Sequence, residues 1–437
     1  MNYLLAFTSL AVAVTVYIAA RVLCTRKVSF RAVPGPPSPS WIFGNMLQLY
    51  ISSPYGKYEF AWLKQYGNVY RLKGCFGGDC LMVSDSRAVQ HILNNVDTFR
   101  KSPLMEKAVY ALDGPRGVQH VQGEEHRRLR TALNVAFTAS AVRQYQELFE
   151  NVARKISSKL EASSESEVDI CQFIGPGTLA AIAEAGSSPL YRAVCHSAFE
   201  TTGCYLSDNY VGYSGEGTRY TPSSVIANAL STLFPQLNLS LLPAFGLLHK
   251  ARKLATRLGT QVIEEKAAAL ERGMDPGNDL YAYLLRQNTT LTKEDIASQT
   301  CVLLAAGQDT TANTLTFGLL ELARNPELQE IIRKEIHSMT TSSYDNKPLL
   351  NALIKESLRM FPAVALAERV AVLDTVIPLT ESISTMAGEH IDHIPVHKGD
   401  VVVVGVASYQ RFIISRIISS NVQPGQIRSS SVGRRQS

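Results

Sequence analysis

The sequence predicts a mainly α protein with small β-sheets, carried on an N-terminal transmembrane helix. Three observations predict it. From about Gly123 onward, long segments have helical character up to about residue 361. From Ala365 the pattern shortens to apolar runs punctuated by Pro378, Pro395 and Gly399, which suits small strands and hairpins. The first twenty residues carry no charge and are mostly apolar, among them Leu4, Leu5, Phe7, Leu10, Val12, Val14, Val16 and Ile18. At about 1.5 Å per residue such a helix spans roughly 30 Å, the hydrocarbon thickness of a bilayer.

Arg21, Arg26, Lys27 and Arg31 follow this segment at once. Positive charge behind it and none before it places the body of the protein on the cytosolic side. A cleaved signal peptide would have a basic start and a shorter apolar stretch, so an uncleaved anchor over residues 1–25 is favoured. Residues 26–40 contain Pro34, Gly35, Pro36, Pro37, Ser38 and Pro39. Prolines at this density fix φ and remove donors, which excludes a helix or a central strand and predicts a stiff, extended spacer.

A chain of 437 residues with 46% hydrophobic content can bury a large core, in one domain or in two or three smaller ones. The net charge of +5 is mild and spread along the chain, so nucleic acid is not an expected partner. The densest basic run, His126 to Arg130, sits in a helical pattern and reads first as a solvated helix face. Seven cysteines, at 24, 75, 80, 171, 195, 204 and 301, are odd in number and include no C-x-x-C pair. That excludes a disulfide framework or zinc module and fits a reducing compartment.

In order along the chain, helices are predicted over residues 55–66, 88–94, 125–137, 141–160, 251–272, 292–323, 326–339 and 348–361, with short strands near 68–72 and 81–83. Asn325, Pro326 and Glu327 make a helix start: a cap residue, a proline in the first turn and an acid at the positive dipole end. Thr292 with Asp295 has the spacing of a capping box. Two stretches look foreign. Residues 187–217 interrupt a helical context without pattern. Residues 412–437 contain seven serines, four arginines and no acid, a composition expected to stay disordered.

The chemistry is concentrated in Ala-Gly-Gln-Asp-Thr-Thr over 306–311. Read as a helix, its approach from Cys301 is apolar all round and so buried. Glycine costs roughly 1 kcal/mol against alanine in mid-helix and threonine about half as much, so Gly307, Thr310 and Thr311 are poor choices for structure alone. Ala306 and Gly307 would let a ligand approach the backbone. The Thr310 hydroxyl can bond the Ala306 carbonyl four residues back, and Asp309 supplies an acid able to relay protons. A small-residue helix crossing with an incidental acid fits the hexapeptide equally well. Glu356 and Arg359, three apart in the apolar stretch 353–361, can form an ion pair.

Taken together, the motifs are specific. The proline-rich hinge, Gly123 through Arg130, Ala306 through Thr311, Asn325-Pro326-Glu327, Glu356-x-x-Arg359 and the 362–369 stretch follow one another in the order of the cytochrome P-450 monooxygenases. The chain resembles the membrane-anchored fungal type from the anchor through Ile394, Pro395, Lys398 and Gly399 to Tyr409, Gln410 and Arg411. The resemblance implies a cytochrome P-450-like fold with its C-terminal part missing: an incomplete domain over 41–411, followed by a family-unlike tail.

The resemblance also assigns roles. Asp309 and Thr310 match the family's acid–alcohol pair, which delivers protons during oxygen activation, with Ala306 and Gly307 lining the oxygen groove. His126 and Arg130 match positions that bond the heme propionates, and Arg369 matches a basic residue near a propionate. Glu356 and Arg359 match a structural ion pair that normally engages an arginine or histidine further on. Heme, an NADPH-dependent reductase, an apolar small-molecule substrate and a single-pass location in the endoplasmic reticulum membrane are expected from the same source.

The departure is in the ligand to iron. The family next has Phe-x-x-Gly-x-Arg-x-Cys-x-Gly, whose thiolate holds the metal. No cysteine follows Cys301, and Gly433 through Ser437 only mimics the loop, with serine last. His390, His393 and His397 do not replace it, because Pro395 and Gly399 break any helix that would align them. The expectation is no axial metal ligand, a truncation or frameshift after Arg411, and a monooxygenase inactive as written. The alternative is a non-catalytic, membrane-anchored helical remnant of the family.

Overall fold

A computed structural model describes residues 30–51, 54–163, 167–186, 243–277, 279–286, 291–338 and 344–411, with a few residues and a short hairpin between 186 and 243. Apart from Val16 and Ala20, the anchor expected over 1–25 lies outside the described residues, as do the tail 412–437 and most of 187–217. Among the described residues no helix is long and apolar enough to cross a membrane.

In chain order the helices are α1 (Lys57–Tyr66), α2 (Ser86–Asn94), α3 (Pro103–Asp113), α4 (Gly123–Asn134), α5 (Gln146–Glu161), α6 (Cys171–Gly186), α7 (Pro243–Glu271), α8 (Leu280–Arg286), α9 (Lys293–Ser298), α10 (Thr300–Arg324), α11 (Pro326–Ser338) and α12 (Pro348–Met360). The strands are β1 (Val69–Lys73), β2 (Asp79–Val83), β3 (Phe99–Lys101), β4 (Gly212–Ser214), β5 (Gly217–Arg219), β6 (Leu366–Ala371), β7 (Thr375–Ser384), β8 (His390–Val396) and β9 (Val401–Gly405). The mainly α class with small sheets is therefore observed. The chain divides into two compact units, with boundaries after residues 45, 55, 101 and 350.

The first unit holds the five-stranded sheet β1-β2-β9-β6-β3 and the separate β7-β8 hairpin. Val401 to Val404 is a continuous apolar run, and β9 accordingly lies inside the sheet, parallel to β2 and antiparallel to β6. Leu81, Val83, Ile92, Phe99, Ile377, Val402 and Val404 form its core. Asp85 caps α2 by accepting from Ala88 N, and it also accepts from Thr380 N and Thr380 Oγ1, each at 3.0 Å, which ties the hairpin to α2. Residues 34–38 of the proline-rich stretch form neither helix nor strand, and they do not stand free. Val33 and Pro36 are buried, and the Pro34 carbonyl accepts from Arg71 N at 2.9 Å. At Gly35 any Cβ would fall 1.9 Å from the Arg71 carbonyl oxygen, so the chain runs directly along β1.

The second unit is helical. Leu129, Leu133, Leu179, Leu258, Val262, Tyr281, Ile296, Cys301 and Leu304 share one core drawn from α4, α6, α7, α8, α9 and α10. The helix expected over 292–323 is two helices, α9 and α10, separated at Gln299. That side chain accepts from Val118 N at 2.9 Å and donates to the Arg116 carbonyl at 2.8 Å, bonds to a distant loop that local sequence does not announce. The capping box is present, with Thr292 Oγ1 accepting from Asp295 N and Asp295 accepting from Thr292 N. The helix expected over 141–160 is likewise broken, with Tyr145 between a short helix (Ala139–Gln144) and α5. Helices α3 and α6 were not expected; α6 holds Pro176 in its interior. Asn325 finishes α10, donating to the Glu321 carbonyl at 2.8 Å, while its own carbonyl accepts from Gln329 N in the first turn of α11.

Candidate active site

The hexapeptide lies in the middle of α10, as its apolar approach required. Cys301, Val302 and Leu304 are buried, and exposure begins at Ala306. Thr310 Oγ1 donates to the Ala306 carbonyl at 2.6 Å, the back-bond expected from the four-residue spacing. Thr314 Oγ1 does the same to the Thr310 carbonyl at 2.9 Å. A third hydroxyl comes from another helix: Thr178 Oγ1 of α6 lies 3.1 Å from the Gln308 carbonyl. Three carbonyls in one stretch, 306, 308 and 310, thus accept from side-chain hydroxyls. Asp309 is half-buried beside them.

Gly307 has a packing reason for its size. A Cβ there would meet Ile182 Cγ1 at 2.7 Å and Ile182 Cβ at 3.0 Å, so glycine is where α6 crosses α10. Of the two residues expected to line an oxygen groove, Ala306 is the one exposed. Gly307 serves the helix crossing.

His126 and Arg130 are exposed and one turn apart on α4, while Leu129 enters the unit's core. Among the described residues neither basic head has a hydrogen-bond or ion-pair partner, which leaves both free for an anionic ligand. Arg128 between them is committed elsewhere. It pairs with Glu125 at 2.6 Å and with the largely buried Asp295 at 3.2 Å, while Arg116 reaches Asp295 at 3.1 Å. Burial pushes the Asp295 carboxyl up, but the bonds from Thr292 and the two guanidiniums outweigh it and hold the group below its ordinary value. This network sequence reasoning missed. No local pattern signals it, because Arg116 and Arg128 lie far from Asp295 in sequence.

In the first unit, Glu356 and Arg359 form a bidentate pair on α12, at 2.6 and 2.9 Å. The hydrogen bond to Arg359 holds Glu356 below its ordinary value. Arg359 Nη1 also donates to the Gln410 carbonyl at 3.1 Å, a main-chain partner in addition to Glu356. Arg369 is on β6 opposite Lys101 and Val402, half-buried, with Nη1 donating to the Glu368 carbonyl at 2.9 Å. Burial lowers its guanidinium below the ordinary arginine value. His390 and His393 lie on β8, paired across the hairpin with Ser384 and Pro378.

The family model described as Cytochrome P450 matches residues 34–381, most of the chain. The chain belongs to the cytochrome P450 family. By family it is an oxidoreductase of the monooxygenase type with heme as cofactor. Among its relatives, cytochrome P450 monooxygenase 205 of Postia placenta is 28% identical over 440 residues, covering 94% of this chain and 79% of the relative. Monooxygenase 212 of the same fungus is 29% identical, covering 86% and 74%. Cytochrome P450 monooxygenase claQ of Ampulloclitocybe clavipes is 25% identical, covering 86% and 73%. The fold is shared with the solved structure of retinoic acid bound cyanobacterial CYP120A1, at TM-score 0.59 and 20% identity over 86% of this chain and 78% of that one.

A P450 holds heme iron through a cysteine thiolate, so the cysteines decide whether this chain fits the group. Cys75 and Cys301 are buried, and burial pushes each thiol up to about 12; burial also raises the Cys80 thiol well above its ordinary value. Cys171 is half-buried at the start of α6. Thiols raised this far stay protonated near neutral pH and are poor ligands. No cysteine follows Cys301 in the 437 residues. The free heads of His126 and Arg130 suit carboxylates such as propionates. Cys24, Cys195 and Cys204 lie outside the described residues; among the described residues the thiol donors do not fit heme iron.

Proposed function

We propose that the parent activity is the insertion of one oxygen atom from O2 into an apolar small molecule, with electrons from an NADPH-dependent reductase at the endoplasmic reticulum membrane. The 437-residue chain as written does not perform it. The observation that supports this reading is the cysteine set: Cys75, Cys80 and Cys301 are buried with their thiols raised, and no cysteine occurs after Cys301. Asp309 and Thr310, with Ala306 exposed beside them, support the monooxygenase side of it. Full-length chain reconstituted with hemin is expected to give no heme-thiolate band in its reduced carbon-monoxide spectrum; a band of that kind overturns the reading.

A frameshift after Arg411 accounts for the change of composition there. Reading the coding DNA beyond that point in the other frames is expected to reveal Phe-x-x-Gly-x-Arg-x-Cys-x-Gly. One observation favours a second reading, a non-catalytic remnant. Arg359 is engaged by Glu356 and the Gln410 carbonyl, without a side chain from a further segment. Absence of the cysteine loop from all three frames would select it.

A further inference from the structure

We propose that Thr178 of α6 is a positioning residue for Asp309 and Thr310, holding the turn of α10 from which both side chains project. The proposal rests on the acid–alcohol reading of those two residues. Thr178 is 5% exposed, and its hydroxyl lies within reach of two carbonyls, Gly175 in its own helix at 2.9 Å and Gln308 in α10 at 3.1 Å. The first is an ordinary back-bond within a helix. The second crosses between helices and ends on the residue immediately before Asp309. Ile182 stands one turn further along α6 and fills the space beside Gly307. The crossing thus sets a hydroxyl and an isoleucine against two consecutive residues of α10.

This stretch of α10 gains from an outside hold. Gly307, Thr310, Thr311 and Thr314 all fall within it, and each lowers helix propensity against alanine. The Thr310 and Thr314 hydroxyls bond carbonyls of their own helix, at 2.6 and 2.9 Å. Such back-bonds loosen a helix slightly and tie it to nothing else. Thr178 differs from both in coming from a neighbouring helix. A carbonyl oxygen has two lone pairs, so Gln308 can keep its main-chain donor and still accept from Thr178. The bond therefore adds a tertiary tether at the base of the 309–310 segment. Contacts at Gly307 and Gln308 are about 100° apart around the helix axis, so together they oppose rotation of α10 where the acid and the alcohol emerge.

The test is amide hydrogen exchange, read by mass spectrometry on the full chain in detergent micelles, for Thr178→Val and Thr178→Ser. Valine keeps the shape and removes the hydroxyl, whereas serine keeps the hydroxyl and removes a methyl. Valine is expected to speed exchange over residues 309–314 by about fivefold, the change that loss of one ordinary hydrogen bond gives. Serine is expected to leave that segment at the native rate. Thr178→Ala, which also lacks the hydroxyl, repeats the measurement if valine disturbs the crossing. A native rate in both the valine and alanine variants would overturn the proposal. So would a serine variant as fast as valine, or exchange raised equally throughout α7 and α8, since either makes Thr178 a packing residue only. None of these readouts uses heme or activity, so the monooxygenase reading stands or falls separately, on the carbon-monoxide spectrum.

Discussion

Ser408 donates a hydrogen bond of 2.5 Å to the carboxyl of Glu59, a residue of α1 that is only 5% exposed. The contact joins two segments of the first unit 349 residues apart in sequence. Its surroundings are closely fitted: a Cβ at Gly405 would stand 2.9 Å from Ser84 Oγ and 3.3 Å from Glu59 Oε1. Arg411 stacks on Phe60, the next residue of α1, at 4.1 Å.

Burial raises the Glu59 carboxyl from 4.5 to about 7, against the lowering effects of Ser408 and Arg411. An acid whose folded value lies above its unfolded one gives stability that is complete below the unfolded value and is lost as pH rises through the folded one. The first unit should therefore weaken between about pH 4.5 and 7 and level off above. A shift of this size corresponds to at most about 3 kcal/mol. Urea midpoints between pH 5 and 8 should fall for the native chain and stay flat over that range for Glu59→Gln.

Gly307 and Ile182 set a second expectation. Alanine at 307 would gain about 1 kcal/mol of helix propensity. It would also press its Cβ to 2.7 Å from Ile182 Cγ1, and overpacking of that kind costs roughly 1–3 kcal/mol. The β-branched isoleucine has little rotamer freedom with which to retreat. Gly307→Ala should thus lower stability by about 1 kcal/mol, and Gly307→Val by more. Gly307→Ala and Ile182→Ala should couple favourably, the double variant losing less than the sum of the two single losses, which a melting series of the single and double variants will read.

These cases separate what local sequence could reveal from what it could not. The Thr292–Asp295 box and the Thr310 back-bond are contacts within four residues, and both were legible. The Gly307 crossing was legible only as an alternative, because nothing local says that Ile182 faces it. Helix α6 was missed because Gly175, Pro176 and Gly177 read as breakers, yet packing against α10 carries the helix through them. The divisions at Gln299 and Tyr145, and the Arg359 bond to the Gln410 carbonyl, depend on partners far along the chain. Main-chain carbonyls have no residue identity to recognise.

Asp295 combines a cap, two arginine partners and near-complete burial of its side chain, 7% exposed. Asp295→Ala should cost about 2 kcal/mol, the sum of a lost cap and the broken ion pairs. Arg116→Ala should cost less than about 1 kcal/mol, since a half-exposed guanidinium contributes little. Because the Asp295 carboxyl is held below its ordinary value, its contribution is present at neutral pH and fades as pH falls through the acid range. Denaturant midpoints of the two variants, compared at neutral and acid pH, check both statements.

His126 and Arg130 should behave in the opposite way. Their heads are exposed and, among the described residues, unpartnered, so His126→Ala and Arg130→Ala should each change stability by no more than about 0.5 kcal/mol. A loss above 1 kcal/mol in either would assign that residue to the fold instead of to ligand binding.

Thr310 gives the sharpest separation between structure and function. Its hydroxyl is satisfied by the Ala306 carbonyl of the same helix, a bond that competes with the ladder instead of adding a tertiary contact. Removing it leaves that carbonyl with its ordinary main-chain donor, so no buried group loses a partner. The side chain is half-exposed, and truncation leaves no closed cavity. Alanine also gains about 0.5 kcal/mol of helix propensity. Thr310→Ala should therefore melt at the same temperature as the native chain or slightly higher. Such a result means that the threonine is retained at some cost to the helix, as a residue kept for chemistry would be. A clear drop in melting temperature would instead make Thr310 part of the packing, and the acid–alcohol reading of 309 and 310 would lose its support.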